Sequence, residues 1–138
     1  MKIVLDTNVL VAGLLQPFGS PGTIVRMIPS GVLKLCYDAR ILDEYREVLL
    51  RPKFRFERSE VKALLEEIED CGLLAASKPL PEPLPDSDDE MFLQAALAAE
   101  AECLITGNAK HYPRNRCCGM IVVSPAEFLK VFRKRIVS

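Results

Sequence analysis

Short apolar runs alternate along the chain with stretches whose apolar residues recur every three or four positions. The short runs predict buried strands, and they lie at residues 3–5, 32–37, 103–106 and 120–123, with a shorter edge strand within 73–76. The stretches between them predict helices that each bury one face. Strands that alternate with helices favour a parallel sheet covered on both faces. The pattern therefore predicts an α/β fold with a mostly parallel central sheet.

The first predicted strand ends at Asp6, where a helix is expected to begin. Thr7 and Asn8 follow, and the apolar pattern then resumes with Val9 and Leu10. Ligands of open α/β sheets bind at the carboxyl ends of the strands, where this carboxylate is expected to lie. A residue such as Asp6 can also simply cap the helix. Both interpretations stay open on this stretch alone.

A second carboxylate borders the buried face of a predicted helix. Asp38 is expected to cap this helix, whose apolar stripe consists of Ile41, Leu42, Tyr45, Val48 and Leu49. With about 3.6 residues per turn, Glu44 falls at the edge of that stripe. Glu44 is then either paired with Arg40 or Arg51 or part of a site.

Acids also crowd the start of a later helix, after a stiff segment with four prolines at residues 78–85. Asp86, Asp88, Asp89 and Glu90 are four acids within five residues. Ser87 and Glu90 match a capping box for the helix that follows. Because neighbouring like charges repel one another, this density exceeds what capping needs, and a bound cation would relieve it.

Composition narrows the class of protein. The chain has 138 residues, 49% of them apolar, with 18 Lys and Arg against 19 Asp and Glu, which fits one globular domain over residues 1–138. No apolar run is long enough to cross a membrane, and the start of the chain does not resemble a signal peptide. The odd number of cysteines, five, without a C-x-x-C pair suggests reduced thiols. We therefore expect a cytoplasmic protein.

The acids at the predicted sheet edge indicate a particular chemistry. Asp6, the cluster around Asp89 and Asn108 all follow strands or begin helices there, and Glu44 leans over the same edge. Oxygen donors of this kind suit Mg²⁺ or Mn²⁺. Such ions activate water and stabilise a phosphodiester during displacement. With a single histidine in the chain, His111, no Ser-His or Cys-His pair is indicated.

The sequence resembles the PIN-domain nucleases over nearly its whole length. The resemblance is carried by five segments, at residues 5–11, 44–54, 88–93, 106–113 and 123–129, which begin with Leu-Asp-Thr-Asn-Val-Leu-Val and include Thr-Gly-Asn-Ala-Lys-His-Tyr-Pro. It is strongest to the branch of VapC-like toxin components of prokaryotic toxin–antitoxin systems. The resemblance implies a three-layer α/β/α sandwich and a metal-dependent endoribonuclease that hydrolyses RNA with metal-activated water.

The same resemblance assigns roles to individual residues. The expected catalytic residues are Asp6, Glu44, Asp89 and Asn108, and the metal ligands Asp6, Glu44 and Asp89. Asp88 or Glu90 could replace Asp89, because the spacing to the next strand is elastic. Asn108 stands where many members have an aspartate, which should weaken a second metal ion, and Asn108→Asp should raise activity or metal affinity. Thr7 and Asn8 are expected to orient Asp6.

The expected partners are RNA, a cognate antitoxin and a second copy of the chain. The resemblance to the PIN-domain nucleases implies pairing into a homodimer, and the helices at 21–29 and 57–70 carry apolar stripes at the periphery of the chain. Since an acidic site repels RNA, basic residues should surround it: Arg51, Lys53, Arg55, Arg58, Lys110 and Arg114.

Two other interpretations remain. Asn108 favours an inactive PIN fold that binds RNA or protein without cutting. The strand–Asp start is also found in phosphatases with an aspartyl nucleophile, but these need a second Asp where this chain has Asn8.

Overall fold

The computed structural model of the chain describes residues 1–137, with side chains as far as Arg135. Five strands and six α-helices lie within this range. The strands are β1 (Lys2–Leu5), β2 (Lys34–Tyr37), β3 (Leu73–Leu74), β4 (Cys103–Ile105) and β5 (Val122–Val123). The helices are α1 (Thr7–Leu15), α2 (Ser20–Met27), α3 (Ala39–Leu49), α4 (Arg58–Cys71), α5 (Glu90–Ala98) and α6 (Pro125–Val137).

The strands form one parallel sheet in the order β3-β2-β1-β4-β5. On one side of β1, Ile3 pairs with Leu35 of β2, and on the other side Val4 pairs with Leu104 of β4. Parallel neighbours need long crossover connections, which the helices provide while covering the sheet. The predicted α/β fold, a three-layer α/β/α sandwich with a parallel central sheet, is confirmed.

β1 lies at the centre of the sheet and is buried on both faces. Ile3, Val4 and Leu5 are each 0% exposed, and full burial of one such side chain contributes about 1.5–3 kcal/mol. Helix α3 is tied to the end of this strand, because the buried hydroxyl of Tyr45 donates a hydrogen bond to the carbonyl of Leu5 at 2.7 Å. The backbone at Leu5, just before Asp6, is therefore held by the pairing with β4 and by Tyr45 of α3.

The observed β2 is shorter than the predicted strand at 32–37. Its ladder with β1 begins where Lys2 lies opposite Lys34. Just before this pair, the carbonyl of Met1 accepts a hydrogen bond from the backbone N–H of Lys34. Val32 is left 47% exposed. The apolar run was a correct signal for the strand but not for its first residue.

The apolar stripes expected at the periphery are covered within the chain itself. Helix α2 packs against α1 and α6, and α4 packs against α3. The central residues of both stripes are buried: Ile24, Val25 and Ile28 in one, and Val61, Leu65 and Ile68 in the other. These stripes therefore belong to the core of one protomer.

A capping box forms at the start of α6, and the one predicted for the start of α5 does not. At the start of α6, Ser124 and Glu127 exchange side-chain and backbone hydrogen bonds of 3.0 and 3.1 Å. The box predicted for Ser87 and Glu90 is wrong, because Glu90 is already the first residue of α5 and its Oε2 accepts from the backbone N–H of Leu84 at 2.9 Å. A backbone N–H of the proline-rich segment therefore binds the carboxylate that the capping box would have used.

The parallel strands bring their carboxyl ends to one edge of the sheet. Asp6 follows β1, Asp38 follows β2, and Thr106 follows β4. This edge holds the candidate site. Over the residues that the structure describes, no helix has the length and apolarity that a membrane span requires.

Candidate active site

Asp6 is buried, 6% exposed, at the end of β1. Although it occupies the N-cap position of α1, its side chain makes no capping hydrogen bond. Its Oδ2 instead accepts hydrogen bonds from the hydroxyls of Thr106, at 2.9 Å, and Tyr112, at 3.1 Å. The helix-cap interpretation of Asp6 is therefore wrong. Two hydroxyl donors that are distant in the sequence hold this carboxylate in one orientation.

Tyr112 is suited to remain a donor. Burial raises the pKa of its hydroxyl, and the negative charges of Asp6 and Asp89 raise it further. The phenol therefore keeps its proton and continues to donate to Asp6. Neither Tyr112 nor Thr106 was singled out from the sequence as orienting Asp6.

Glu44 lies on α3 at the border of the buried face, as its helical position predicted. The hydroxyl of Thr7 donates to its Oε2 at 3.2 Å. The alternative interpretation, an ion pair of Glu44 with Arg40 or Arg51, is not observed, since Arg40 contacts Asp38 and Arg51 contacts Glu47. Burial raises the pKa of Glu44, to which the nearby charge of Glu47 adds.

The acidic segment presents one buried carboxylate to this edge. Asp89 is 8% exposed and ends a 3₁₀ turn at Ser87–Asp89. Asp86 accepts a hydrogen bond from the backbone N–H of Asp88 at 2.9 Å, and Glu90 is engaged by Leu84. Asp88 itself is exposed. Among the three candidates for the third acid, Asp89 is the one enclosed by the protein.

Asp89 carries an unusual buried oxygen. Within the described residues its Oδ2 has no hydrogen-bond partner, although the Nδ1 of His111 lies 3.0 Å away at ion-pair distance. Burial, with the negative charge of Asp6 next, raises the pKa of Asp89 to about 6. A buried carboxylate without full compensation is costly, so this atom is a strong candidate for contact with a cation.

Asn108 lies beside this acid in a different arrangement from the one expected. Its backbone N–H donates to the hydroxyl of Thr106 at 3.1 Å, and its side-chain Nδ2 lies 2.9 Å from Nε2 of His111. Asn108 therefore contacts the imidazole, and the imidazole contacts Asp89. His111 was not among the residues proposed for the site from the sequence.

The expected roles of Thr7 and Asn8 need correction. Thr7 donates to Glu44 and not to Asp6. Asn8 accepts a hydrogen bond from the backbone N–H of Gly107 at 3.1 Å and so joins α1 to the end of β4. The orienting groups of Asp6 come from about a hundred residues away in the chain, where no local motif could indicate them.

The donors at this edge fit a divalent cation of the magnesium class. Asp6, Glu44 and Asp89 supply carboxylate oxygens, and the Oδ2 of Asp89 is buried without a hydrogen bond. In the part of the chain with described side chains, no three Asp, Glu, His or Cys residues are already gathered as a metal-binding group. The chemistry of the donors therefore fits, and binding an ion requires their side chains to draw closer.

Comparison with known proteins places the chain in a family. The uncharacterized protein MJ1680 of Methanocaldococcus jannaschii is 26% identical over 147 residues, which cover 99% of this chain and 94% of that protein. The solved structure of VapBC2 from Rickettsia felis, bound to a DNA fragment from their promoter, is similar in fold, with a TM-score of 0.58 and 14% identity. That alignment covers 90% of this chain and 98% of the other. Residues 2–110, most of the chain, match the family model of the PIN domain. The chain belongs to the PIN domain family.

Proposed function

We propose that the protein is a divalent-metal-dependent endoribonuclease and acts as the toxin of a toxin–antitoxin pair. Proteins of the PIN domain family are nucleases, which makes the chain a hydrolase by class. The observation that carries the proposal is the buried Oδ2 of Asp89, which lacks a hydrogen bond close to the charge of Asp6. A buried carboxylate oxygen without a hydrogen bond, near a second negative charge, favours a positive partner.

Asp6, Glu44 and Asp89 would hold the ion, Mg²⁺ or Mn²⁺. When bound, such an ion lowers the pKa of water and stabilises charge on the phosphate. The chain's own residues prepare the acids: Thr106 and Tyr112 orient Asp6, and Thr7 orients Glu44. Because these donors are neutral, they fix the carboxylates without cancelling their charge.

RNA would approach along basic residues outside the acidic edge. The 3₁₀ turn Pro52–Phe54 follows α3, and the Nζ of Lys53 lies 5.0 Å from the centre of the Phe54 ring. Arg55 comes next with a left-handed backbone, φ 58°. Phe54 and Phe56 stack with ring centroids 5.9 Å apart. This segment combines positive charge with aromatic faces, which suits a single-stranded nucleic acid. Lys110 and Arg114 are also exposed, and they lie close in the chain to His111 and Tyr112.

The partners we propose are a cognate antitoxin and a second copy of the chain in the cytoplasm. The similarity to VapBC2, a toxin–antitoxin complex by its name, supports an antitoxin. The homodimer has lost one argument, since the stripes of α2 and α4 are buried within the protomer. Sedimentation at micromolar concentration tests it, and a monomer at all concentrations would refute the pair.

A second candidate function is an RNA- or protein-binding PIN fold that does not cut. The contact between Asn108 and His111 favours it, because the fourth acid of many family members is replaced by a neutral amide engaged elsewhere. Metal binding distinguishes the two functions, since a binding module has no use for the ion.

The test is cleavage of RNA by the purified protein with Mn²⁺ and with EDTA. We expect cleavage that depends on the metal and survives addition of excess DNA. An internally labelled RNA distinguishes an endonuclease, which yields fragments from the outset, from an enzyme that releases nucleotides from one end. RNA binding that is unaffected by metal, with no cleavage product, would replace the nuclease by the binding module.

A further inference from the structure

His111 connects two of the residues proposed for the site. It ends the 3₁₀ turn Ala109–His111, and its backbone N–H donates to the carbonyl of Asn108 at 3.1 Å. Its two ring nitrogens face different partners, with Nδ1 3.0 Å from Oδ2 of Asp89 and Nε2 2.9 Å from Nδ2 of Asn108. The ring therefore stands between the amide and the acid.

These two contacts select the same form of the imidazole. A neutral imidazole carries a proton on one nitrogen and a lone pair on the other. At 3.0 Å from the carboxylate oxygen, an Nδ1 that carries the proton is attracted by the negative charge, whereas an Nδ1 with a lone pair would be repelled. The Nε2 lone pair then accepts a hydrogen bond from the Asn108 amide. Both contacts are attractive in the same tautomer, so together they stabilise that tautomer.

We propose that Asn108 and Asp89 hold His111 as its Nδ1–H tautomer, and that His111 is thereby a positioning residue that keeps the Asp89 carboxylate in place for a divalent cation. The second half rests on the function proposed above, whereas the first half concerns the protein without metal. Asn108 in this arrangement supports the site through the histidine and does not stand in for a fourth acid.

A neutral imidazole suits this task better than a cation would. The Oδ2 of Asp89 gains a close N–H dipole but receives no well-aligned hydrogen bond. This oxygen therefore keeps the capacity to bind an ion. A lysine or arginine in the same place would neutralise the carboxylate and oppose binding of a metal.

An amide at residue 108 is also required by this geometry. Asparagine offers an N–H to Nε2, whereas a carboxylate offers acceptor oxygens alone. Asn108→Asp would therefore face the Nε2 lone pair with an acceptor and disturb the tautomer. On this view the substitution does not restore a better site, which is the opposite of the simple expectation from the family pattern.

The first test reads the tautomer directly. The chain contains one histidine, so tag-free protein labelled with ¹⁵N-histidine gives one ring system by NMR. The spectrum is taken without metal at about pH 8, above the ordinary histidine pKa of about 6.5. We expect a protonated Nδ1 and an unprotonated Nε2, and a shift toward the Nε2–H form in Asn108→Ala. An Nε2–H tautomer in the wild-type protein would overturn the proposal.

The second test asks whether the Nδ1 donor acts on metal binding. Asparagine places its amide nitrogen near the position of Nδ1, whereas glutamine places its amide near Nε2. We expect His111→Gln to weaken Mn²⁺ binding roughly 10-fold or more, the usual scale for groups that support a metal ligand. His111→Asn should bind Mn²⁺ nearly as well as the wild type, and both variants should melt like the wild type without metal.

The outcomes separate this inference from the proposed function. Equal weakening of Mn²⁺ binding in both variants would mean that the imidazole ring itself is needed. Undiminished Mn²⁺ binding in His111→Gln would mean that the Nδ1 donor is not needed. Either result overturns the positioning role. If the wild-type protein binds no Mn²⁺ by calorimetry, the proposed function fails and the positioning role with it. The NMR measurement still decides the tautomer in that case.

Discussion

Two aspartates follow neighbouring strands of the same sheet, and their surroundings differ in kind. Asp38, after β2, accepts hydrogen bonds from the backbone N–H of Ile41 at 3.0 Å, from Arg40 at 2.8 Å and from Ser77 at 3.0 Å. Asp6, after β1, accepts hydroxyls from Thr106 and Tyr112 and makes no helix cap. In the described part of the chain, no lysine or arginine forms an ion pair with Asp6 or Asp89.

A comparison of Asp38 with Asp89, the second enclosed acid of the candidate site, shows the same contrast in proton affinity. Burial would raise the pKa of Asp38, but the hydrogen bonds from Arg40, Ile41 and Ser77 outweigh it and lower the pKa. Burial and the charge of Asp6 raise the pKa of Asp89 to about 6. Asp38 and Asp89 are equally buried, 8% exposed in each case. What distinguishes a structural acid from a candidate site acid here is therefore missing compensation and not burial.

The largest expected effect is on RNA cleavage. Asp6→Asn keeps the size of the side chain but removes its charge, so cleavage should fall on the order of 100-fold or more, the scale seen when one preorganised active-site group is lost. Asp38→Asn is the matched control at the next strand end and should cleave within a few-fold of the wild type. Initial rates on one RNA measure both. If Asp6→Asn cleaves like the wild type, the two aspartates do not differ in function.

The second effect concerns binding of metal to the folded state. Mn²⁺ at about 100 times its dissociation constant should stabilise the wild type by about 2.7 kcal/mol. Asp89→Asn should lose most of this gain, whereas Asp38→Asn should keep it. Thermal unfolding with and without Mn²⁺ measures the difference. A gain that persists in Asp89→Asn would remove this residue from the metal site.

The third effect concerns the stability of the metal-free protein, which substitutions of Asp89 and Asp38 should change in opposite directions. Asp89 has a folded pKa of about 6, above the ordinary value of about 3.9, so the folded state loses stability as pH rises between these values. Asp89→Asn should therefore be more stable than the wild type at neutral pH, by up to about 2 kcal/mol once screening by solvent is allowed for, and the difference should vanish near pH 4.

The control acid should behave in the opposite way. Because the folded pKa of Asp38 is lowered, its stabilisation is present at neutral pH and is lost as pH falls through the folded pKa. Asp38→Asn should thus be less stable than the wild type at neutral pH. Denaturant unfolding in EDTA at several pH values checks both variants. Parallel pH profiles for the two would contradict the comparison.

The smallest effect lies outside the two acids. The charge of Asp38 is balanced by its ion pair with Arg40. At the edge that holds Asp6, a bound polyanion needs positive charge from neighbouring segments. Replacing Lys53 and Arg55 by alanine should weaken RNA binding several-fold. If each contacts one phosphate of a single strand, the salt slope should fall by about 1.4. Metal binding should stay unchanged.

Lys34→Ala is the control for this surface, since Lys34 begins β2 at the opposite end of the sheet and is exposed. It should leave RNA affinity and its salt dependence as in the wild type. Binding measured by fluorescence anisotropy at several salt concentrations decides the matter. An unchanged slope in the double variant would move the RNA path to another surface.

The features that the sequence could predict are those with local signals. The positions of Asp6 and Asp89 relative to the predicted strands and helices predicted that both lie at one edge of the sheet. Helical periodicity predicted that Glu44 lies at the border of the α3 stripe. The cap at Asp38 was correct because its partner, the N–H of Ile41, is three residues away. Such arguments need nothing beyond the spacing of neighbouring residues.

The features that the sequence missed depend on distant segments. Thr106 and Tyr112 reach Asp6 from 100 and 106 residues away, and no pattern around Asp6 indicates them. The capping box at Ser87 failed because the backbone N–H of Leu84, in the preceding proline-rich segment, took the Glu90 carboxylate. His111 was left out because a single histidine has no recognisable spacing, although its two contacts become plain once the chain is folded.

The central position of β1 has a consequence for the synthesis of the chain. Its neighbour β4 and the hydroxyls that orient Asp6 all come from residues 103–112, about a hundred residues after Asp6 in the chain. A ribosome translating this message therefore carries an unfinished site until residue 112 has emerged from its tunnel. The order of the strands in the sheet thus delays formation of the site until β4 is free to pair with β1.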